Sequence, residues 1–304
     1  MATSANPAFH RFAVFVAACT FLLLVAGALV TSNDAGLAVP DWPLSYGSVA
    51  PPMVGGILYE HGHRLVASFV GILTIFLAAW LWRHEPRRWV RRLGLVALGV
   101  VIAQGLLGAL TVKFYLPISI SVAHACLAQI FFGTVVSLAL FTSRWWQSEL
   151  PQAADTASPP VRLLAIGTAA AIFLQLVLGA AFRHKGFGIL PHLAGAAVVT
   201  ILVLWTAGAI RRRFPESAPL GRWRRLLHFL IGLQLLLGGA AWWSRVLAQE
   251  FPQPIPVTIW LTVAHTVVGA LTLSAAVVTA LVCVRLLSSS REAALTSQPQ
   301  QATL

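Results

Sequence analysis

The sequence predicts an all-α polytopic membrane protein, eight transmembrane helices arranged as two pseudo-symmetric four-helix bundles. Three observations carry that reading. Hydrophobic residues make up 58% of the 304 positions while only 10% are charged, too little charge to keep a soluble surface wet. Eight apolar runs approach or pass the roughly 20 residues that a helix needs to cross a hydrocarbon core. Within lipid the backbone must satisfy its own polar groups, so these runs are helices. Finally, short motifs recur in both halves at matching places.

The runs fall at 12–31, 62–82, 93–112, 119–142, 161–182, 189–210, 224–244 and 257–284. The first follows MATSANPAFHRF directly and is expected to be a retained helix, not a cleaved signal. The stretch QSELPQAADTASPP, 147–160, is polar and proline-bearing and reads as a linker. It separates an N-terminal bundle, 10–146, from a C-terminal bundle, 161–286. A polar tail, 287–304, is expected to be disordered. Cys19, Cys126 and Cys283 all lie in apolar runs, which argues against a loop disulfide or a CxxC metal site.

A net charge of +12 is compatible with nucleic-acid binding, but the basic residues sit in short loops between apolar runs, with no aromatic-studded basic domain. They report topology instead. With the N-terminus inside, 16 Lys and Arg fall on the inner side against five outside, namely Arg64, Lys113, Arg183, Lys185 and Arg245. The positive-inside rule then places both termini in the cytoplasm.

The third, fifth and seventh runs carry Gln104-Gly-Leu-Leu-Gly108, Gln175-Leu-Val-Leu-Gly179 and Gln234-Leu-Leu-Leu-Gly238. The fourth and eighth carry Val122-Ala-His124 and Val263-Ala-His265. Four helices per half is an even number, so the duplication is parallel. The glutamines and glycines themselves read as helix glue.

Of nine histidines, His10, His84 and His228 lie beside arginines on the inner side and His184 sits in an outer loop; all four read as interfacial or solvated. His63, His124, His192 and His265 each stand near the start of an even-numbered run, toward the outer face. A lone histidine near a helix end is usually structural. Four at repeated positions are not readily explained that way, because ionisable groups within spans are costly and usually functional. Two imidazoles on diagonal helices of a four-helix bundle can supply both axial positions of a heme iron. Zinc or copper would want further converging ligands. One turn on, Ala67, Ala128, Ala196 and Gly269 are small and would leave a slot for a flat macrocycle.

The halves differ beside the first histidine. Glu60 stands three residues before His63, on a shared helix face, and Arg64 follows; the second half has Ile189 and Leu193 at the matching places. A reacting heme needs a group that moves protons, whereas an electron-carrying one needs ligands and a greasy pocket. The plain alternative for Glu60 is an i,i+4 ion pair with Arg64. His61 points roughly 200° away from His63 on the helical period and is not assigned to that iron. The segment from Thr31 to Tyr59 is long for a connection and suits a cover over a site, with Asp34 and Asp41 as turn residues.

At Gly36-Leu-Ala-Val-Pro-Asp-Trp-Pro-Leu-Ser-Tyr-Gly47, at Glu60-His-Gly-His63-Arg64 and at the three later histidines, the chain resembles the heme A synthase family, over nearly all of 10–285. The resemblance implies oxidation of the C8 methyl of heme O to a formyl group, by successive hydroxylations and loss of water, to give heme A for terminal oxidases. It implies that His63 and His124 flank the substrate heme, with Arg64 among its binding residues and Glu60 as the catalytic carboxylate. It also implies that His192 and His265 ligate a resident heme b. The implied partners are the lipid bilayer, the heme O-producing farnesyltransferase and oxidase assembly factors, with the electron donor unspecified and no nucleic acid. Many members carry a cysteine pair in the first outer loop; Ser45 stands where one of these would be, so a disulfide or thiol relay there cannot apply. Two other functions compete: a bis-histidine di-heme b-type electron-transfer cytochrome, and a membrane transporter built from parallel repeats.

Overall fold

A computed structural model describes residues 7–247, 249–252 and 254–289. Eight long helices dominate it: α1 (Pro7–Ser32), α2 (Gly55–His84), α3 (Arg88–Lys113), α4 (Ile118–Thr142), α5 (Val161–Arg183), α6 (Leu190–Arg213), α7 (Ala218–Leu247) and α8 (Pro256–Leu286). Each contains a stretch long and apolar enough to span a bilayer. The chain is a multi-pass membrane protein. Prolines mark several boundaries: Pro117 and Pro160 cap the starts of α4 and α5, and Pro191 and Pro256 occupy the first positions of α6 and α8, where a missing N–H costs nothing.

Packing is ring-like within each half. α1 contacts α2 and α4, and α3 contacts the same two; in the second half α5 contacts α6 and α8, and α7 contacts the same two. The even-numbered helices of each half therefore face each other diagonally. The first half closes around Val16, Val70, Leu77, Phe131 and Leu138, the second around Ile172, Val203, Leu227 and Ala276. α8 also meets α1 and α4, and its Ala270 joins the first half's core. The most apolar stretch of α8 is 67% buried against 11% for α3, so α8 is the central strut and α3 faces lipid.

The linker and tail differ from expectation. Arg144–Gln147 forms a short helical turn, and β1 (Ala153–Asp155) pairs in parallel with β2 (Leu287–Ser289). The start of the expected disordered tail is thus a strand, since the backbone groups of 287–289 find partners in the linker; the rest of that tail lies outside the described residues. Asp155 receives the Val161 N–H at the start of α5 and lies 3.8 Å from Arg213. Arg285 donates to the Ser148 carbonyl. This end of the molecule is laced by polar contacts, and the histidines named above sit at the other.

Candidate functional site

α2 begins at Gly55, a full turn and more before the apolar run predicted from sequence, so Glu60, His61, His63 and Arg64 are all helical. The spacing fixes their directions. Glu60 is buried, 4% exposed, and its two oxygens are both engaged: Oε1 with Arg64 Nη2 at 2.5 Å and Oε2 with the Val39 N–H at 2.8 Å. The ion pair expected as the plain alternative is therefore present, and it carries a second contact to the outer loop. Arg64 Nη1 donates to the Asp41 and Leu44 carbonyls at 2.7 and 2.9 Å. Its terminal nitrogens hold the loop and the carboxylate together.

His61 does turn away from His63, and it has a role that the sequence did not suggest. Its Nδ1 lies 2.8 Å from the Ser45 hydroxyl, both residues buried. Asp34 has a left-handed φ of +51°, and Asp41 accepts the Tyr46 and Gly47 N–H groups at 2.7 and 2.8 Å, so both are turn residues as expected. Hydrogen bonding by these N–H groups, that of Gly47 first, and the charge of Arg64 hold the Asp41 carboxyl below its ordinary pKa. Gly56 lets the loop close down: a Cβ there would lie 2.7 Å from that of Ala38. Loop 33–54 is thereby pinned over the start of α2 by Glu60, His61 and Arg64.

The four candidate histidines share one local design. A Cβ built on Gly27, Gly108, Gly179 or Gly238 would meet the Cε1 of His63, His124, His192 or His265 at 3.2, 3.3, 2.9 and 2.9 Å respectively. The end of every odd-numbered helix thus carries a glycine against the imidazole at the start of the next helix. All four imidazoles share one end of the molecule, where Arg183 of α5 also donates to the Thr31 carbonyl of α1. The ring centres of His192 and His265 are 6.2 Å apart at 83°, and Phe182 stacks on His192.

The glutamines are more than helix glue. Gln104 Nε2 donates to the His124 carbonyl at 2.9 Å and Gln175 Nε2 to that of His192 at 2.8 Å, which is glue. The same amide nitrogens also lie 3.4 Å from His124 Nε2 and 3.0 Å from His192 Nδ1, and Gln234 Nε2 lies 3.4 Å from His265 Nε2. The three copies of Gln-xxx-Gly were the available signal. The slot expected at Gly269 is filled by the Gln234 amide, which lies 3.2 Å from where a Cβ would be.

The remaining histidines behave otherwise. His10 Nδ1 lies 2.9 Å from the Ala139 carbonyl, tying α1 to α4, and His228 Nδ1 lies 3.0 Å from the carbonyl of Arg224 in its own helix. His184 is held below its usual pKa by burial and by the adjacent Arg183.

A metal fits the imidazole pairs on two observations. Nδ1 of His63, His124 and His265 is buried with no hydrogen-bond partner, a state costing about 1–3 kcal/mol per group. Two imidazoles on opposite sides of one metal, each nitrogen about 2 Å from it, place their ring centres about 6 Å apart, as His192 and His265 are. Among the described residues no three His, Cys, Asp or Glu side chains converge, which leaves the histidine pair as the unit.

These features define a class: a polytopic helical membrane protein whose one end holds paired imidazoles in each four-helix half. The sequence profile described as cytochrome oxidase assembly protein, COX15-CtaA, matches residues 53–190. A heme A synthase of Shouchella clausii is 37% identical over 134 residues, 42% of this chain and 44% of that protein. One of Lysinibacillus sphaericus is 36% identical over 132 residues, 42% and 43% of the two. One of Symbiobacterium thermophilum is 29% identical over 252 residues, 73% and 81%. The chain is similar to these heme A synthases, and the matched segment spans less than half the length of the first two relatives.

Proposed function

We propose that this protein is a heme A synthase, a membrane oxidoreductase that converts the C8 methyl of heme O to the formyl group of heme A. The observation that carries the reading is the buried Glu60 carboxylate beneath a pinned loop, one turn before His63, where the second half has only Ile189 and Leu193. In this reading His63 and His124 flank the substrate heme, and His192 and His265 hold a resident heme b, which supplies one-electron transfer when bound.

The chain's own residues do the rest. Glu60 is the proton-handling group at the substrate, its two oxygens placed by Arg64 and the Val39 N–H. Arg64 acts at the substrate by fixing that carboxylate and the loop above it. The loop, held additionally by Ser45 and His61, excludes water from the reacting face. We further assign both termini to the cytoplasm, from the distribution of Lys and Arg, which puts the histidine end outside in a cell membrane. The farnesyltransferase that makes heme O and the oxidase assembly factors are the partners this activity requires.

The test is to supply heme O to the membrane-embedded protein and extract the pigments. Heme A beside heme b supports the synthase. Heme b alone, with supplied heme O recovered unchanged, identifies an electron-transfer cytochrome instead, and a colourless protein would favour a transporter.

A further inference from the structure

At the end of the molecule opposite the candidate histidines, a cavity of about 420 Å³ opens between the start of α1 and the end of α4, with His10, Arg11, Thr142, Ser143, Arg144 and Trp145 in its lining. The hydroxyl hydrogens there are already engaged: Thr142 donates to the Leu138 carbonyl at 2.8 Å and Ser143 to that of Leu140 at 2.6 Å. His10 Nδ1 lies 2.9 Å from the Ala139 carbonyl, which ties α1 to α4 and holds Arg11 and Arg144 on one cavity. Both arginines are exposed, and among the described residues neither has a carboxylate within 4 Å. The open donors of the cavity are therefore two guanidiniums, which suit an oxyanion.

The second half shows what such an arginine does when the chain covers it. Arg285 stands 20 residues after His265, as Arg144 stands 20 after His124. Arg285 donates to the Ser148 carbonyl at 2.8 Å and lies over the Trp146 ring at 5.9 Å, and β2, which follows it, pairs with the linker strand β1. Arg144 has no such cover among the described residues. Nor do the flanking residues supply an acid, since the six before Pro7 read Met-Ala-Thr-Ser-Ala-Asn. Of the few carboxylates at this end, Glu85 and Asp155 already face Arg87 and Arg213. The counter-charge must come from outside the chain.

The surroundings favour a lipid as its source. Val14 and Phe15 follow Arg11 by three and four positions, on the same face of α1, and are 46% and 48% exposed. Trp145 lines the cavity, and indoles of this kind sit at headgroup depth. A phosphate bound at Arg11 would thus continue into an apolar helix face. We propose that Arg11 and Arg144 bind the phosphate of an anionic phospholipid whose acyl chains run along Val14 and Phe15. The planar guanidinium fork matches phosphate oxygens, and basic pockets between spanning helices hold anionic headgroups in this way.

The test uses the full chain in lipid-free detergent, with native mass spectrometry to count bound lipid and the thermal midpoint to report occupancy. Phosphatidylglycerol should be retained as a single tightly held molecule and raise the midpoint, whereas phosphatidylcholine at the same concentration should not. Arg11→Gln combined with Arg144→Gln should weaken phosphatidylglycerol binding about 30-fold. It should leave the lipid-free midpoint unchanged, because neither side chain has a contact to lose. Arg83→Gln combined with Arg88→Gln removes the same charge from exposed positions outside the cavity and should leave binding nearly intact. Equal losses in the two double variants, or equal retention of phosphatidylcholine, would make the effect a property of the whole basic face and overturn the site. Inorganic phosphate that raises the midpoint as much as phosphatidylglycerol would make the cavity a free-anion site and overturn the lipid assignment.

Discussion

The two halves present the same imidazole frame and differ in what lies over it. In the first half, loop 33–54 folds onto α2 and is pinned by Glu60, His61 and Arg64. In the second, the connection 184–189 is short and leads into Leu190 and Leu193, which are largely exposed. The frame itself comes from four glycine–imidazole contacts. The two halves thus share these contacts and differ at one helical turn and one loop. Under the proposed function, the carboxylate and the loop are what distinguish the substrate half from the other.

The largest expected effect breaks the frame in one half only. Under the proposed function, His265→Ala or His192→Ala should abolish the heme b spectrum, because one imidazole of the pair that would hold the group is gone; an unchanged spectrum would place that heme elsewhere. Next comes Glu60→Ala, which should retain bound heme and stop formation of the aldehyde product. Normal heme A levels in that variant would remove Glu60 from the mechanism. Arg64→Leu should do damage of a different sort: it leaves a buried carboxylate without its cation and should lower stability by about 3 kcal/mol, read as a drop in the thermal midpoint in detergent. The second half offers no equivalent substitution, since Leu193 has no ionic partner to lose.

A finer comparison comes from the glycines. Gly179→Ala and Gly238→Ala would press a methyl to 2.9 Å from an imidazole carbon, against 3.2 and 3.3 Å for Gly27→Ala and Gly108→Ala. Overpacking costs about 1–3 kcal/mol, so the second-half variants should perturb heme binding more than the first-half ones. Equal effects in all four would mean that the imidazoles yield freely and are not held by these contacts.

Much of this was legible in the sequence for physical reasons. Apolar length fixes a spanning helix almost regardless of context, and the four histidines stood out because they recur. The sequence places the start of α2 late because its first two turns, Gly55–Gly62, are glycine-rich and polar and look like loop by composition. Glu60 and Arg64 were readable as an i,i+4 pair. The contacts from Val39 and Ser45 to that turn were not, since they join residues about 20 apart through a loop with no periodicity. From sequence the glutamines read as glue alone, because helical register says which residues share a face and not which ring an amide will reach. Pairing of 287–289 with the linker was missed because three-residue strands leave no pattern to read.

The smallest expected effect concerns the lid's own closure. Asp41 accepts the N–H groups of Tyr46 and Gly47, and its carboxyl pKa is lowered by those bonds and by Arg64. For a carboxyl whose folded pKa lies below its unfolded value, the stabilisation is complete above the ordinary pKa of about 3.9 and is lost as pH falls through the lowered folded value. The loop should therefore stay closed at every pH above that range and loosen only in stronger acid. An NMR titration of the Asp41 side-chain carbon should show a midpoint below the ordinary carboxyl value, and Asp41→Asn should speed hydrogen exchange at Tyr46 and Gly47 while leaving the amides of 184–189 unaffected. A midpoint at or above the ordinary value would mean that the turn is not held by the ionised carboxylate, and the first half's cover would then depend on Glu60, His61 and Arg64 alone.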